Sequence, residues 1–315
     1  MNVFIPTLSK MGYLFCFIVL GYVLKKIKVL PDNTATVLGK LENNAFIPAL
    51  AFSTFATGVT LDELASSWQF LVGGIAVIAI AIPVGLIASR FFSKDDYIRK
   101  IYAYGLCFAN FGFMGNAIVE GVYGKEALAS YLILTTPISV AMYSWGFPAL
   151  LIPSNEEKPS MASRLKSLLS PQFICMLAGI IICFAKIPLP KFFAESASAL
   201  GGCMSPVAML ITGMTIAEID IKKALGTVPV YILTVIRLIV MPIAFIIALM
   251  LLKVPTDVAM LMVCAVAMPL GMNSIVVPKA YGKDSTVASG MVLISHVLAC
   301  LTIPFIFMLF NILVK

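Results

Sequence analysis

The feature that most constrains this chain is a succession of long apolar runs, separated by short segments that contain charged residues, Gly and Pro. Of its 315 residues, 61% are hydrophobic and 12% are charged, which is not the composition of a soluble globular protein. A helix needs about 20 mostly apolar residues to cross a bilayer, because its backbone groups must be hydrogen-bonded within the helix. The chain therefore has room for roughly ten membrane-spanning helices and little else.

Hydropathy, with Pro, Gly and charged residues as boundaries, predicts an all-α membrane protein with ten transmembrane helices. We place the spans at residues 4–25, 34–57, 68–90, 101–123, 128–152, 171–186, 195–216, 227–252, 257–280 and 286–313. The longest connection lies between the fifth and sixth spans. The sequence thus predicts a first five-helix repeat at 1–152, a short cytoplasmic linker at 153–170 and a second, inverted repeat at 171–315.

The distribution of Lys and Arg predicts the orientation of the spans, because cytoplasmic loops carry an excess of basic residues. Fourteen basic residues fall on one side: Lys25, Lys26, Lys28, Arg90, Lys94, Arg99, Lys100, Lys158, Arg164, Lys166, Lys222, Lys223, Lys279 and Lys283. Five fall on the other side: Lys125, Lys186, Lys191, Lys253 and Lys315. We therefore expect both termini on the non-cytoplasmic side of the plasma (inner) membrane. The net charge of +7 then reflects topology, and no nucleic-acid partner is expected.

An internal repeat is visible at an offset of about 158 positions. Matching residues are Gly21 with Gly179, Pro48 with Pro206, and Pro83 with Pro242. The strongest match pairs Asn116-Ala117-Ile118-Val119 and Tyr123-Gly124-Lys125-Glu126 with Asn273-Ser274-Ile275-Val276 and Tyr281-Gly282-Lys283-Asp284. Because each half has an odd number of spans, the second half enters the membrane from the opposite side.

Spans 4 and 9 contain Gly, Pro and Asn near the middle of the membrane. Their central residues are Asn110-Phe111-Gly112-Phe113-Met114-Gly115-Asn116 and Pro269-Leu270-Gly271-Met272-Asn273-Ser274. Non-helical backbone at that depth is tolerated only where protein or a water-filled cavity satisfies it. Interrupted helices at matching positions of two repeats indicate the binding site of a transporter. Close packing of small residues between helices is the alternative.

The interruptions favour an anionic substrate. Half-helices that begin near Asn116 and Ser274 would direct N-terminal N–H groups and positive dipole ends at the membrane centre. The candidate substrate-binding residues are Asn110, Gly112, Gly115, Asn116, Pro269, Gly271, Asn273, Ser274 and Arg237.

Ionisable residues inside spans are costly and often functional. Arg237 and His296 each lie about ten residues into a span, too deep for easy contact with the surface. We expect Arg237 to pair with a carboxylate, and His296 to be either a structural histidine or a proton carrier. Glu42, with Asn43 and Asn44, is a candidate for binding a coupling proton or cation. Glu42 could equally extend to the inner surface.

Motifs of membrane enzymes are absent from the sequence: there is no HExxH, Walker loop, GxGxxG or pair of intramembrane aspartates. Seven cysteines are scattered through apolar segments without a CxxC pair, beside a single histidine. This pattern favours neither disulfides nor a zinc site. We expect no enzyme activity, metal or cofactor.

Short motifs in a fixed order resemble the auxin efflux carrier family, which includes plant auxin exporters and bacterial carriers for dicarboxylates such as malonate. They are Pro48-Ala49-Leu50, Asn110-x-Gly112-Phe113-x-Gly115, Tyr123-Gly124, Pro171 through Gly179 to Ile187-Pro188-Leu189-Pro190, Pro206 with Gly213, and Pro269 with Tyr281-Gly282. The resemblance extends over essentially the whole chain.

The resemblance implies ten spans in two inverted repeats, with broken helices 4 and 9 crossing each other. It implies a scaffold of spans 1, 2, 6 and 7, which could also form a homodimer, and a mobile unit of the other spans that moves in an elevator-like cycle. Plant members place a proline at each crossover, where this sequence has Ala117 and Ser274. Ala117 therefore joins the substrate-site candidates.

The expected function is transport of a small organic anion, a mono- or dicarboxylate similar to auxin or malonate. The alternative is a sodium-coupled symporter resembling the bile-acid carriers. A channel would show flux that does not saturate, and a sensor would show no flux.

Overall fold

The computed structural model describes residues 3–57, 59–60, 67–152, 160, 169–219 and 228–314. In this part of the chain the regular elements are helices, together with one isolated β-bridge. The predicted linker 153–170 lies mostly outside the described residues, as do these basic residues used for the orientation: Lys158, Arg164, Lys166, Lys222, Lys223 and Lys315.

The first half of the described chain contains these α-helices: α1 (Phe4–Lys26), α2 (Thr34–Leu41), α3 (Ile47–Thr57), α4 (Trp68–Ser89), α5 (Asp96–Cys107) and α6 (Asn116–Ala141). π-helical segments join or extend them at Glu42–Phe46, Phe111–Gly115 and Met142–Leu151. Helix α6 is kinked at Gly124, whose φ of 90° only glycine adopts easily.

The second half contains α7 (Pro171–Ala185), α8 (Lys191–Gly202), α9 (Met204–Ala217), α10 (Val228–Val235), α11 (Met241–Leu251), α12 (Thr256–Ala267), α13 (Asn273–Ala280) and α14 (Thr286–Leu313). A π-helical turn, Ile236–Val240, joins α10 to α11.

Six helical runs of the described chain are long and apolar enough to cross a bilayer: Phe4–Lys26, Trp68–Ser89, Phe111–Leu151, Lys191–Ala217, Val228–Leu251 and Thr286–Leu313. Helices α7 and α12 are shorter and also apolar. Most predicted span ends lie within two residues of a helix end. The predicted ends at 123 and 128 fall inside α6, on either side of its kink at Gly124. Elsewhere the largest difference is at α5, which starts at Asp96 because the Asp95 side chain caps it by accepting a hydrogen bond from the Ile98 N–H.

Two close helix contacts hold the first and second halves together. Helix α1 packs against α9 so tightly that a Cβ on Gly21 would overlap the Leu210 carbonyl group. Helix α7 packs against α3 in the same way, and a Cβ on Gly179 would lie 2.8 Å from the Phe52 carbonyl oxygen. Small residues allow such approach of helix backbones in membranes.

Candidate functional site

Two helices are interrupted inside the protein, at residues 108–110 and 268–272. After α5 the backbone is extended at Phe108 (φ −124°, ψ 118°), and after α12 it is extended at Met268 (φ −69°, ψ 150°). Helical structure resumes in the π-helical turn before α6 and at the start of α13. Both interruptions that the Gly, Pro and Asn pattern predicts are present.

The two interruptions lie against each other. Ala109 and Leu270 form an antiparallel bridge, and the Asn110 N–H donates a 2.8 Å hydrogen bond to the Pro269 carbonyl oxygen. Asn110 is 4% exposed, so these backbone groups have little access to solvent. Because unpaired backbone groups are costly when they are buried, each interrupted segment stabilises the other.

Arg237 stabilises the contact of residues 108–110 with residues 268–272, hereafter the crossing, from the π-helical turn Ile236–Val240. It is 3% exposed; its Nε donates to the Met268 carbonyl oxygen at 3.3 Å and its Nη1 donates to the Leu106 carbonyl oxygen at 2.9 Å. These carbonyls belong to the C-terminal ends of the two half-helices, where a cation is favourable. The guanidinium therefore binds both interrupted helices.

Helix α14 provides side chains that bind the same crossing. The His296 Nδ1 lies 2.9 Å from the Val292 carbonyl oxygen, and its Nε2 lies 3.3 Å from Nδ2 of Asn110. A carbonyl only accepts, so Nδ1 carries the proton, Nε2 accepts from the Asn110 amide, and the ring is neutral. The hydroxyl of Ser295 accepts a 3.2 Å hydrogen bond from the Leu270 N–H.

Two buried tyrosines contact the segments that follow the interruptions. The Tyr131 hydroxyl donates a 3.2 Å hydrogen bond to the Phe111 carbonyl oxygen, and a Cβ on Gly115 would overlap that hydroxyl. The side chain of Tyr104, which is 1% exposed, lies next to that of Asn273. No sequence pattern marks Tyr104, Tyr131 or Ser295. The one signal that each carries is a polar group within an apolar span.

The remaining predicted residues differ in what they contact. Asn116 is 2% exposed and its Oδ1 has no hydrogen-bond partner in the described chain. Ala117 is fully buried, and the Ser274 hydroxyl donates a 2.8 Å hydrogen bond to the Gly271 carbonyl oxygen. Gly112 faces open space, since nothing lies within 4 Å of a Cβ placed on it.

The predicted coupling residues lie elsewhere, in the π-helical turn between α2 and α3. Glu42 is fully buried, whereas Asn43 and Asn44 are exposed. This turn packs against α7, α8 and α9. Of the four predicted coupling or support residues, His296 is thus the one placed at the crossing.

The chemistry available at the crossing is hydrogen bonding and one buried positive charge. Its side chains are amides, hydroxyls, an imidazole and a guanidinium. In the part of the chain that the structure describes, no three His, Cys, Asp or Glu side chains come together as metal ligands would. These groups can donate and accept hydrogen bonds and can bind a negative charge.

Comparison with known proteins gives consistent matches. Residues 6–307 match a family described as membrane transport protein. "Uncharacterized transporter YfdV" of Escherichia coli K12 is 20% identical over 302 residues, which cover 90% of this chain and 91% of that protein. An "Uncharacterized transporter" of Methanothermobacter thermautotrophicus is 26% identical over 204 residues, 63% of this chain and 64% of the relative. A third relative, "Uncharacterized transporter MJ1031" of Methanocaldococcus jannaschii, is 21% identical over 214 residues, 65% of this chain and 67% of the relative.

Proposed function

The chain belongs to the membrane transport protein family of the auxin efflux carriers, and from this premise we propose that it is a secondary active transporter of a small organic anion. Its family and its relatives are membrane transporters and not enzymes, and its apolar helices make it an integral membrane protein. The crossing of the two interrupted helices at Ala109 and Leu270 carries the proposal. Such a crossing places backbone and side-chain polar groups at mid-membrane, where a transported molecule can bind.

An anionic substrate is supported by the charge at the crossing. Arg237 is buried and its guanidinium donates to backbone carbonyls, and within the described chain no carboxylate forms an ion pair with it. Its positive charge is therefore not neutralised by the described protein. A mono- or dicarboxylate that binds next to the crossing would supply the missing negative charge. The free Oδ1 of Asn116 would accept a hydrogen bond from a hydroxyl or a protonated carboxyl group of the substrate.

We also propose the architecture of ten transmembrane helices in two inverted repeats, with both termini on the non-cytoplasmic side of the plasma membrane. Residues at the same offset as the sequence repeat share special backbone conformations: Gly124 with Gly282 and Lys28 with Lys186 all have positive φ. The contacts α1 with α9 and α3 with α7 are likewise related by that offset. These contacts support a scaffold of spans 1, 2, 6 and 7, against which the crossing helices would move in an elevator-like cycle.

Binding is tested with purified protein in a thermal-shift screen against mono- and dicarboxylates, because a ligand that binds only the folded state raises the Tm. Hits are then tested for uptake into proteoliposomes. We expect saturable uptake and counterflow of a carboxylate. Preferred transport of a cationic or neutral compound would contradict the proposal, and flux that does not saturate would indicate a channel. Uptake that requires sodium and is lost in potassium would favour a sodium-coupled symporter.

A further inference from the structure

Glu42 stands out among the buried side chains of the described chain. Its exposure is 0%, and neither of its carboxyl oxygens has a hydrogen-bond partner among the described residues. An ionised carboxylate without a partner is very costly in such surroundings, whereas a protonated carboxyl costs far less. The geometry therefore requires Glu42 to hold a proton in this conformation.

The neighbouring polar groups do not satisfy this carboxyl. The amide of Asn43 donates to the Gly39 carbonyl oxygen at 2.9 Å, and the amide of Asn44 donates to the Lys40 carbonyl oxygen at 2.7 Å. These bonds stabilise the π-helical turn Glu42–Phe46. Turns of this type are rare and frequently occur at functional sites. The side-chain amides of the two residues after Glu42 therefore donate to backbone carbonyls and not to the carboxyl of Glu42.

The elements packed against this turn are α2, α3, α7, α8 and α9. Their described charged or titratable side chains are Lys40, Cys175, Cys183, Lys191 and Glu195. Lys40 is exposed, Lys191 and Glu195 are exposed and lie 3.8 Å from each other, and Cys183 donates to the Val59 carbonyl oxygen. None of the described side chains is hydrogen-bonded to Glu42. A sodium ion would need several oxygen ligands that converge on it. The single carboxyl group of Glu42 is better suited to binding a proton.

Helix α9 connects this carboxyl to the crossing. It packs against the turn Glu42–Phe46 and also against the turn Phe111–Gly115, which follows the first interruption. The crossing helices reach this turn through α9, so a shift of α9 during their movement would alter the packing around Glu42. The two sites therefore have a shared structural element through which each can affect the other.

We propose that Glu42 is a proton-binding site whose occupancy is coupled to transport of the anion at the crossing. This inference rests on the proposed function. In the conformation described, the carboxyl is neutral and buried; in another conformation of the cycle it meets water, releases its proton to solvent and becomes a carboxylate. A proton that is bound on one side and released on the other would drive the anion against its gradient.

The protonated carboxyl has a direct spectroscopic test. Wild-type protein labelled with 13C-glutamate should show, at neutral pH, the isotope-shifted carbonyl stretching band of a protonated carboxylic acid in its infrared spectrum. The band should be absent in Glu42→Gln and unchanged in Glu195→Gln, which alters an exposed carboxylate. No such band in the wild type, or a band that persists in Glu42→Gln, would overturn the proposal. If Glu42→Gln does not fold, Glu42→Asp keeps a carboxyl group but removes the labelled glutamate, so the isotope-shifted band should be absent from it as well.

Coupling is tested in proteoliposomes with the membrane potential clamped and a pH difference imposed. If one proton is transported with each substrate molecule and the membrane potential is held at zero, a difference of one pH unit should drive about tenfold accumulation in the wild type, since 1.4 kcal/mol corresponds to a factor of ten. Glu42→Gln should still exchange substrate in counterflow but should not accumulate it in response to the pH difference. Glu42→Asp should still accumulate substrate when the pH difference is imposed. Equal accumulation by wild type and Glu42→Gln, or counterflow without any pH drive in the wild type, would contradict the coupling. Absence of all carboxylate binding and flux would instead reject the proposed function.

Discussion

The Glu218 carboxylate accepts a 2.7 Å hydrogen bond from Nζ of Lys279, and this ion pair joins the end of α9 to α13. Lys25 of α1 lies 3.2 Å from the other carboxylate oxygen. Burial alone would raise the pKa of Glu218, but hydrogen bonds from Lys279 and Lys25 hold that pKa below its ordinary value. The pair therefore stays intact above that ordinary pKa, 4.5, and is lost as the pH falls through the lowered value.

Removal of this ion pair should favour a different arrangement of α13 relative to α9. A cavity of about 170 Å³ beside the pair is lined by Thr215, Glu218, Ile219, Ile275, Lys279, Ser285, Thr286 and Ser289. A partly exposed ion pair contributes about 0–1 kcal/mol. Glu218→Gln should therefore raise the population of molecules in which α13 has moved relative to α9 by up to about fivefold. A cysteine placed at Ser289 by Ser289→Cys should then react with a thiol reagent faster in the Glu218→Gln background than in the wild-type background. Mass spectrometry measures the labelling rate at each cysteine separately.

The matched control is Lys191→Gln, which breaks a Lys–Glu pair within the single helix α8. It should leave the labelling rate unchanged. Equal rates in the Glu218→Gln and Lys191→Gln backgrounds would mean that the ion pair does not hold α13 in place.

Asn116→Ala and Asn273→Ala should each weaken substrate binding by roughly ten- to a hundredfold, because a hydrogen bond to a charged group contributes about 1.5–3 kcal/mol. The variants should differ in Tm. Asn273→Ala removes the side chain that lies next to the buried Tyr104 side chain, whereas Asn116 Oδ1 has no hydrogen-bond partner to lose in the described chain. Asn33→Ala is the exposed control. Normal binding by both variants would show that the crossing is purely structural.

Arg237→Met should lower the stability of the protein strongly. It leaves the carbonyls of Leu106 and Met268 without a donor, and each buried unsatisfied group costs about 1–3 kcal/mol. The Tm should therefore fall by several degrees, while Arg99→Met, on the exposed start of α5, should change it little. An unchanged Tm combined with lost substrate binding would instead assign Arg237 to the substrate.

Gly112→Ala and Gly115→Ala should have opposite outcomes although the glycines lie three residues apart. A methyl group on Gly115 overlaps the Tyr131 hydroxyl, and overpacking of this kind costs about 1–3 kcal/mol. A methyl group on Gly112 meets open space. Thermal unfolding of the two variants measures the difference, and equal loss of stability would contradict the described packing around Tyr131.

The predicted topology is tested with reporter fusions at Lys315 and within 153–170. The excess of Lys and Arg on one side predicts a non-cytoplasmic C-terminus and a cytoplasmic linker. A phosphatase reporter active only outside the cytoplasm should be active at Lys315 and inactive in the linker. The reverse pattern would mean that the orientation is wrong.

The sequence by itself determined which segments are helices and where two of them are interrupted. Apolar runs report burial or lipid contact directly, and Gly, Pro and Asn weaken a helix by local backbone effects, so span ends and interruptions could be read from the chain. The apolar pattern does not predict the early start of α5, because Asp95, which caps the helix, lies outside the apolar run.

Only the tertiary structure decided what the polar residues bind. Arg237 was expected to pair with a carboxylate, and in the structure it donates to carbonyls of residues 131 and 31 positions away in the chain. Tyr131 and Ser295 had no pattern that marked them, since their partners come from other helices. A hydrogen bond depends on the distance between two atoms in space, and that distance is fixed by helix packing and not by spacing along the chain.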